Sequence, residues 1–414
     1  MTRRTPASRP DSRRRPVPET LHLSAALEST GWHPASWREP GSRAGELFTA
    51  RFWADTVAEA ERGLFDLVTV EDSFGLQGSG FGPPDDRTDR VAGRLDALLV
   101  AARLALVTEA IGLVPTVSTT HTEPFHVSKG LATLDHVSSG RGGWRAQVAA
   151  RAHEAELFGR RSIPAVTRET LQDPAVVAVV EDLFAEARAV VDTVRALWDS
   201  WEDDAVVRDV ATGRFVDRTK LHRVAAQTPW FSVLGPSITP RPPQGQPVVT
   251  ALAHARTAYE FAAASADVVF VTPRDAQDAR AVVAEVRAAE AAVGRRGVPL
   301  QVHADLVVAL AADAAQARNR LDRLDSADGE AFTSDALVVA DSPAGLVERL
   351  LLWRDAGIEG FRFRPAVNAT DLPALVDEVV PLLQSAGAFR RAYTGATLRD
   401  HLGLARPANR YATV

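Results

Sequence analysis

No cysteine occurs anywhere in the 414 residues. That excludes disulfides, thiolate nucleophiles, zinc–thiolate centres and iron–sulfur clusters, and it suits a cytoplasmic protein. Lysine is nearly absent: Lys129 and Lys220 are the only two, so arginine carries the positive charge. With a net charge of −6 and a pI near 6.0, the chain offers no overall basic character for nucleic acid or an anionic membrane surface. No run is apolar enough for long enough to span a bilayer. Hydrolase and phosphate-binding motifs are missing as well: there is no G-x-S-x-G elbow and no P-loop. His153-Glu154-Ala155-Glu156-Leu157 lacks the second histidine of a zinc-protease helix, so no metal is expected.

What is present is an ordinary globular composition, 46% hydrophobic and 24% charged. Residues 1–19 read as a disordered Arg/Pro-rich tail. Arg3, Arg4, Arg9 and Arg13 to Arg15 would suit a twin-arginine signal, but Pro16-Val17-Pro18-Glu19 supplies no apolar run behind them. From residue 20 on, buried-strand patterns alternate with amphipathic ones. Strands are expected at Leu21–Leu27, Phe65–Val70, Ile111–Val117, Trp144–Ala149, Pro247–Leu252, Asp267–Thr272, Gln301–Leu310 and Gly360–Arg364, each followed by a helix. Short connections in βαβ order build a parallel sheet. The economical fold is α/β, a single TIM-type (β/α)8 barrel spanning 20–414, with insertions near 150–181 and 201–246. An open doubly wound sheet is the alternative. Long insertions in a compact domain act as lids or binding loops; for 201–246 a surface excursion that only packs is equally compatible.

The polar tips after parallel strands are where such folds hold ligands. Glu71 and Asp72 stand at one tip, suited to binding a ligand or to capping the next helix. Thr116, Ser118, Thr119 and Thr120 crowd another, offering hydroxyls to a ligand or to their own backbone. His121 and His126 follow. A histidine there can shuttle a proton or simply be a hydrogen-bonded loop residue.

Several stretches resemble one family closely. These are Gly31-Trp32 to Trp37-Arg38, Arg62-Gly63-Leu64-Phe65-Asp66, the Thr116-Val117-Ser118-Thr119-Thr120 run, and Leu134-Asp135-His136 with Gly140-Arg141 and Trp144. The tail adds Phe389-Arg390-Arg391-Ala392-Tyr393, Thr397-Leu398-Arg399 and Pro407-Ala408-Asn409-Arg410. The chain is similar to the bacterial-luciferase-like flavin monooxygenases, in the branch of nitrilotriacetate and dibenzothiophene-sulfone monooxygenases. The resemblance implies an FMN-dependent, two-component monooxygenase. A separate flavin reductase supplies reduced FMN, O2 is the oxidant, a small organic molecule is the substrate, and the protein is a homodimer.

On the matching positions, the resemblance places Asp72, Thr116, Ser118, Trp144, Arg145, Phe184, His254, Ala255 and Arg256 at the cofactor. It names no catalytic side chain beyond a weak candidate, His121. The chain departs from the family pattern in three places. Arg145 follows Trp144 where Asn is usual. Val180 and Phe184 stand where a His and a Tyr are usual. The phosphate turn, usually Gly-Ser-Ser with a further Gly, reads Ala253-His254-Ala255-Arg256-Thr257-Ala258. Alanines keep the helix amides that bind phosphate but lose the hydroxyls; His254 and Arg256 would compensate with charge. These departures leave a second reading open, a flavin-poor paralogue acting as a binding or partner subunit. A barrel for the deazaflavin F420 is a third, against which the tail signature argues.

Overall fold

The computed structural model describes residues 20–78, 85–167, 169–170 and 172–412; the Arg/Pro-rich start expected to be disordered lies outside them. Eight parallel strands form its centre: β1 (His22–Leu27), β2 (Leu67–Val70), β3 (Gly112–Ser118), β4 (Gly143–Gln147), β5 (Val248–Leu252), β6 (Val268–Val271), β7 (Gln301–Leu310) and β8 (Gly360–Pro365). Each pairs with the next, and β8 pairs back onto β1, with Ser24 opposite Arg362. That last pairing closes the barrel and removes the open-sheet alternative. All eight expected strands are its staves.

Helices α1 (Ala50–Arg62), α2 (Ala97–Leu104), α3 (Pro124–Val137), α4 (Pro174–Trp198), α5 (Arg256–Ser265), α6 (Ala276–Ala292), α7 (Ala314–Asp328) and α8 (Pro343–Asp355) pack around it. Among the described residues, no helix is long and apolar enough to cross a membrane. Local chemistry sets the helix ends. Thr49 caps α1 by accepting from the Phe52 amide, and Gly63 closes it. Asp173 caps α4 with Pro174 in its first turn. This start lies well before 181, so the connection after β4 is shorter than expected; it holds one helical turn, Ala152–Glu156.

Side chains alternate across each strand. The outward set, including Leu113, Trp144, Val249, Val269, Phe361 and Phe363, joins the helices in one large core. The inward set at the floor, including Leu67, Val114, Val248 and Val268, meets Leu398, Leu402 and Leu404 from the C-terminal segment. A side chain at Gly112 would run into Leu398 at 2.5 Å, so the tail closes the bottom of the barrel because that stave has glycine there.

One strand was not expected. Leu337–Asp341 pairs with Leu306–Leu310, the outer half of β7. β7 outruns β6, which pairs only with Gln301–Ala304; the added strand satisfies backbone groups that would otherwise form a bare edge. The 201–246 segment forms two small antiparallel hairpins, Val206–Asp209 with Arg214–Val216 and Ala225–Gln227 with Ser232–Leu234.

Candidate functional site

The inward positions at the open end of the barrel are charged. Arg145 on β4 donates to Glu71 at the end of β2 (3.1 Å). Glu71 also accepts from Arg362 on β8 (3.0 Å). Arg362 donates through Nε (2.8 Å) and Nη2 (2.5 Å) to Asp305 on β7. Arg364 reaches the same carboxylate through Nε (3.0 Å) and pairs with Asp335 (2.5 Å). Asp335 in turn contacts Nε2 of His254 (3.2 Å). Three guanidinium groups thus face three carboxylates in one chain that crosses the mouth from β4 to the turn after β5. Burial raises the Glu71 and Asp305 carboxyls, but the neighbouring arginines outweigh it and hold both below the usual range.

Beside this lattice lies a cavity of about 320 Å³. The tips of β2, β3 and β4 and the first turns of α2 and α3 surround it. Asp72, Thr116, Ser118 and Gln147 are in its wall. Asp72 also does what a strand-end acid can do locally: its carboxylate accepts from the Ala97 amide at the start of α2 (2.9 Å) and from Ser73 N–H (2.8 Å). Burial raises its pKa. Thr116 Oγ1 accepts from Arg145 (3.1 Å), which leaves its hydroxyl proton free to donate. Gln147 Oε1 accepts from the same guanidinium nitrogen (2.7 Å). A flipped amide would set N–H₂ against N–H, so the arginine fixes which end of Gln147 faces the cavity, and that end is a donor. Ser118 is locally satisfied, its hydroxyl shared between the backbone C=O and N–H of Thr120 (3.0 and 3.1 Å).

His121 takes a left-handed backbone, φ 67°. Its ring is 7% exposed and stacks on Phe158 at 4.9 Å, with Phe74 edge-on. Neither ring nitrogen has a hydrogen-bond partner among the described residues. Burial, helped by Arg161 and Arg160, pushes its pKa down to about 4, so the ring is neutral at pH 7. It does not line the cavity; His126 does.

Six expected cofactor residues sit elsewhere than on the cavity wall. Trp144 points into the helix layer, fully buried, its Nε1 donating to Val117 O (2.9 Å), because it falls on the outward phase of β4. Arg145 is inward but spent in the lattice. Phe184 on α4 packs against Phe261 at 5.7 Å. Arg256 is turned along its own helix, 84% exposed and bonded to Glu260 one turn on (2.8 Å). His254 is held there by Thr272 (2.9 Å) and Asp335. Ala255 is the N-cap of α5 and offers no side-chain cap. Unnoticed in the sequence were Gln147 and the lattice residues Asp305, Asp335, Arg362 and Arg364. Their signal is polar residues on the inward phase, as in Phe361-Arg362-Phe363-Arg364.

Residues 30–337 match the family described as luciferase-like monooxygenase. The chain belongs to that family. Nitrilotriacetate monooxygenase component A of Aminobacter aminovorans is 30% identical over 95% of this chain and 98% of its own length. Dibenzothiophene-sulfone monooxygenase of Rhodococcus erythropolis is 28% identical over 90% and 93%. A riboflavin lyase solved with a modified FMN and riboflavin superposes with a TM-score of 0.80 over 94% of this chain and 97% of its own, at 22% identity, a likeness of fold. The expected barrel and family therefore hold, and the family is one of monooxygenases.

Proposed function

We propose that the protein is an FMN-dependent monooxygenase that receives reduced flavin from a separate reductase and oxygenates a small organic molecule. The observation that carries this reading is the polarity of the cavity wall. The pyrimidine edge of a flavin presents two carbonyl acceptors and one N–H donor. The wall presents two donors, Gln147 N–H₂ and Thr116 O–H, and one acceptor, the Asp72 carboxylate. Those three would hold the ring edge. The uncapped first amides of α5, with His254, would hold the phosphate. Reduced flavin supplies the electrons that activate O2, so the protein's part is to bind, orient and exclude water. The designation "component A" of the nitrilotriacetate relative supports a separate flavin supply.

A second reading is a flavin-poor paralogue, favoured by the turned-away Arg256 and the missing hydroxyls at 253–258. Losing several donors at about 1 kcal/mol each weakens binding by orders of magnitude. Anaerobic titration with reduced FMN decides between them. The flavin enzyme binds it in the micromolar range or tighter. Absence of binding at high flavin concentration leaves the paralogue.

A further inference from the structure

The cavity wall also carries information about charge. Besides Asp72, its carboxylates are Asp96 and Glu123, and among the described residues neither lysine nor arginine reaches it. Its apolar part includes Phe74, Leu98 and Leu99. The mouth is rich in arginine, yet none of that charge is available. Arg145, Arg362 and Arg364 are bonded to Glu71, Asp305 and Asp335. Arg160 at the rim is paired with Glu123 (2.7 Å), and Arg94 is directed to Ser73 and Glu28. A ligand carboxylate entering here would lose water and meet other carboxylates, with no cation to replace the solvent.

We propose that this cavity takes an uncharged or cationic substrate with a mainly apolar body and excludes polycarboxylates. The inference rests on the reading above, with the flavin edge on Asp72, Thr116 and Gln147 and the substrate on the Phe74, Leu98 and Leu99 side of the same cavity. It separates this chain from the relative named for nitrilotriacetate, a tricarboxylate, although that relative aligns over nearly the whole length. Three features act together. Asp72 and Asp96 set the sign of the field, Glu123 being matched by Arg160; the apolar wall sets the body of the ligand, and the self-neutralised lattice keeps the nearby guanidinium groups from reversing the sign.

Ligand-observed NMR on the purified full-length protein tests it. The probes are aryl and alkyl fragments, each in matched neutral, ammonium and carboxylate forms, together with nitrilotriacetate. Leu98→Trp, which fills the cavity, identifies the signals that arise there. Neutral and ammonium forms should bind at the cavity, with the matched carboxylates at least about tenfold weaker and nitrilotriacetate undetectable. Leu99→Arg, at an exposed rim position, should narrow the gap by restoring carboxylate binding. Carboxylates that bind the cavity as well as their neutral partners overturn the inference. So does a panel with no cavity binder in any form. Fragment binding needs no flavin, so a protein that discriminates as expected but binds no FMN loses the flavin reading alone.

Discussion

Asp305→Asn is the most direct perturbation of the barrel mouth. The Asp305 carboxylate is fully buried and accepts from both Arg362 and Arg364, themselves buried. The substitution keeps the shape and removes one of three negative charges set against three positive ones. Arg362 retains Glu71 (3.0 Å) and Thr69 (3.1 Å), and Arg364 retains Asp335, but a net positive charge stays in the interior. Breaking a buried pair by removing one partner costs about 3–5 kcal/mol; the retained partners place this variant near the lower end. Urea unfolding followed by tryptophan fluorescence reads the loss. Asp305→Leu with Arg362→Met restores the balance at two against two and should lose much less than the sum of the single changes. The acid limb gives a second reading. Carboxyls held below their ordinary values contribute stability at pH above about 4 and lose it as pH falls through the lower folded values. The gap between wild type and Asp305→Asn should therefore be constant near neutrality and shrink below about pH 4. A single-variant loss under about 1 kcal/mol, or a double variant as unstable as the sum, would refute the lattice as a coupled buried network.

Three further outcomes are expected. Gln147→Leu removes one donor from the cavity wall and should weaken flavin binding by about tenfold or less. Gln147→Glu turns a second acceptor on the same ligand edge and should weaken it more; equal affinity of the Glu variant and wild type in a fluorescence titration removes Gln147 from the site. Arg256→Ala should leave the flavin dissociation constant unchanged, since the guanidinium lies along α5 against Glu260; a marked loss would show that the side chain swings to the phosphate on binding. His121→Phe removes a buried group that resists protonation. A histidine with a folded pKa of about 4, against about 6.5 when unfolded, makes the wild type lose stability as pH falls from 6.5 to 4. The Phe variant should lack that slope in unfolding measured against pH.

The eight strands were legible because their signal is local: short runs rich in Val, Leu and Ala, each bounded by a polar tip. Leu337–Asp341 was hidden because what makes it a strand is the extra length of β7, a property of another segment. The end of β4 shows the same limit at the site. Trp144 and Arg145 both belong to the motif that marks the family, but a strand sends neighbours to opposite faces. One packs against the helices and the other enters the barrel, and the strand boundary alone does not say which. Arg256 illustrates a different blind spot. A glutamate four residues on, Glu260, is the ordinary helical partner for it, and that local pair is the one the side chain makes.

Phe361-Arg362-Phe363-Arg364 is the stretch where the sequence contained more than was taken from it. In a barrel stave the phenylalanines must face the helices, so the arginines must face in. Two inward guanidinium groups then demand inward carboxylates within reach, and Asp305 on the adjacent stave β7 and Glu71 at the end of β2 stand at such positions. Arg145, placed at the cofactor by the resemblance, is the next member of the same balance. Its charge is met by Glu71, and its remaining bonds set the orientation of Gln147 and Thr116. Along β4 the inward residue that lines the cavity is therefore Gln147, one inward step beyond Arg145.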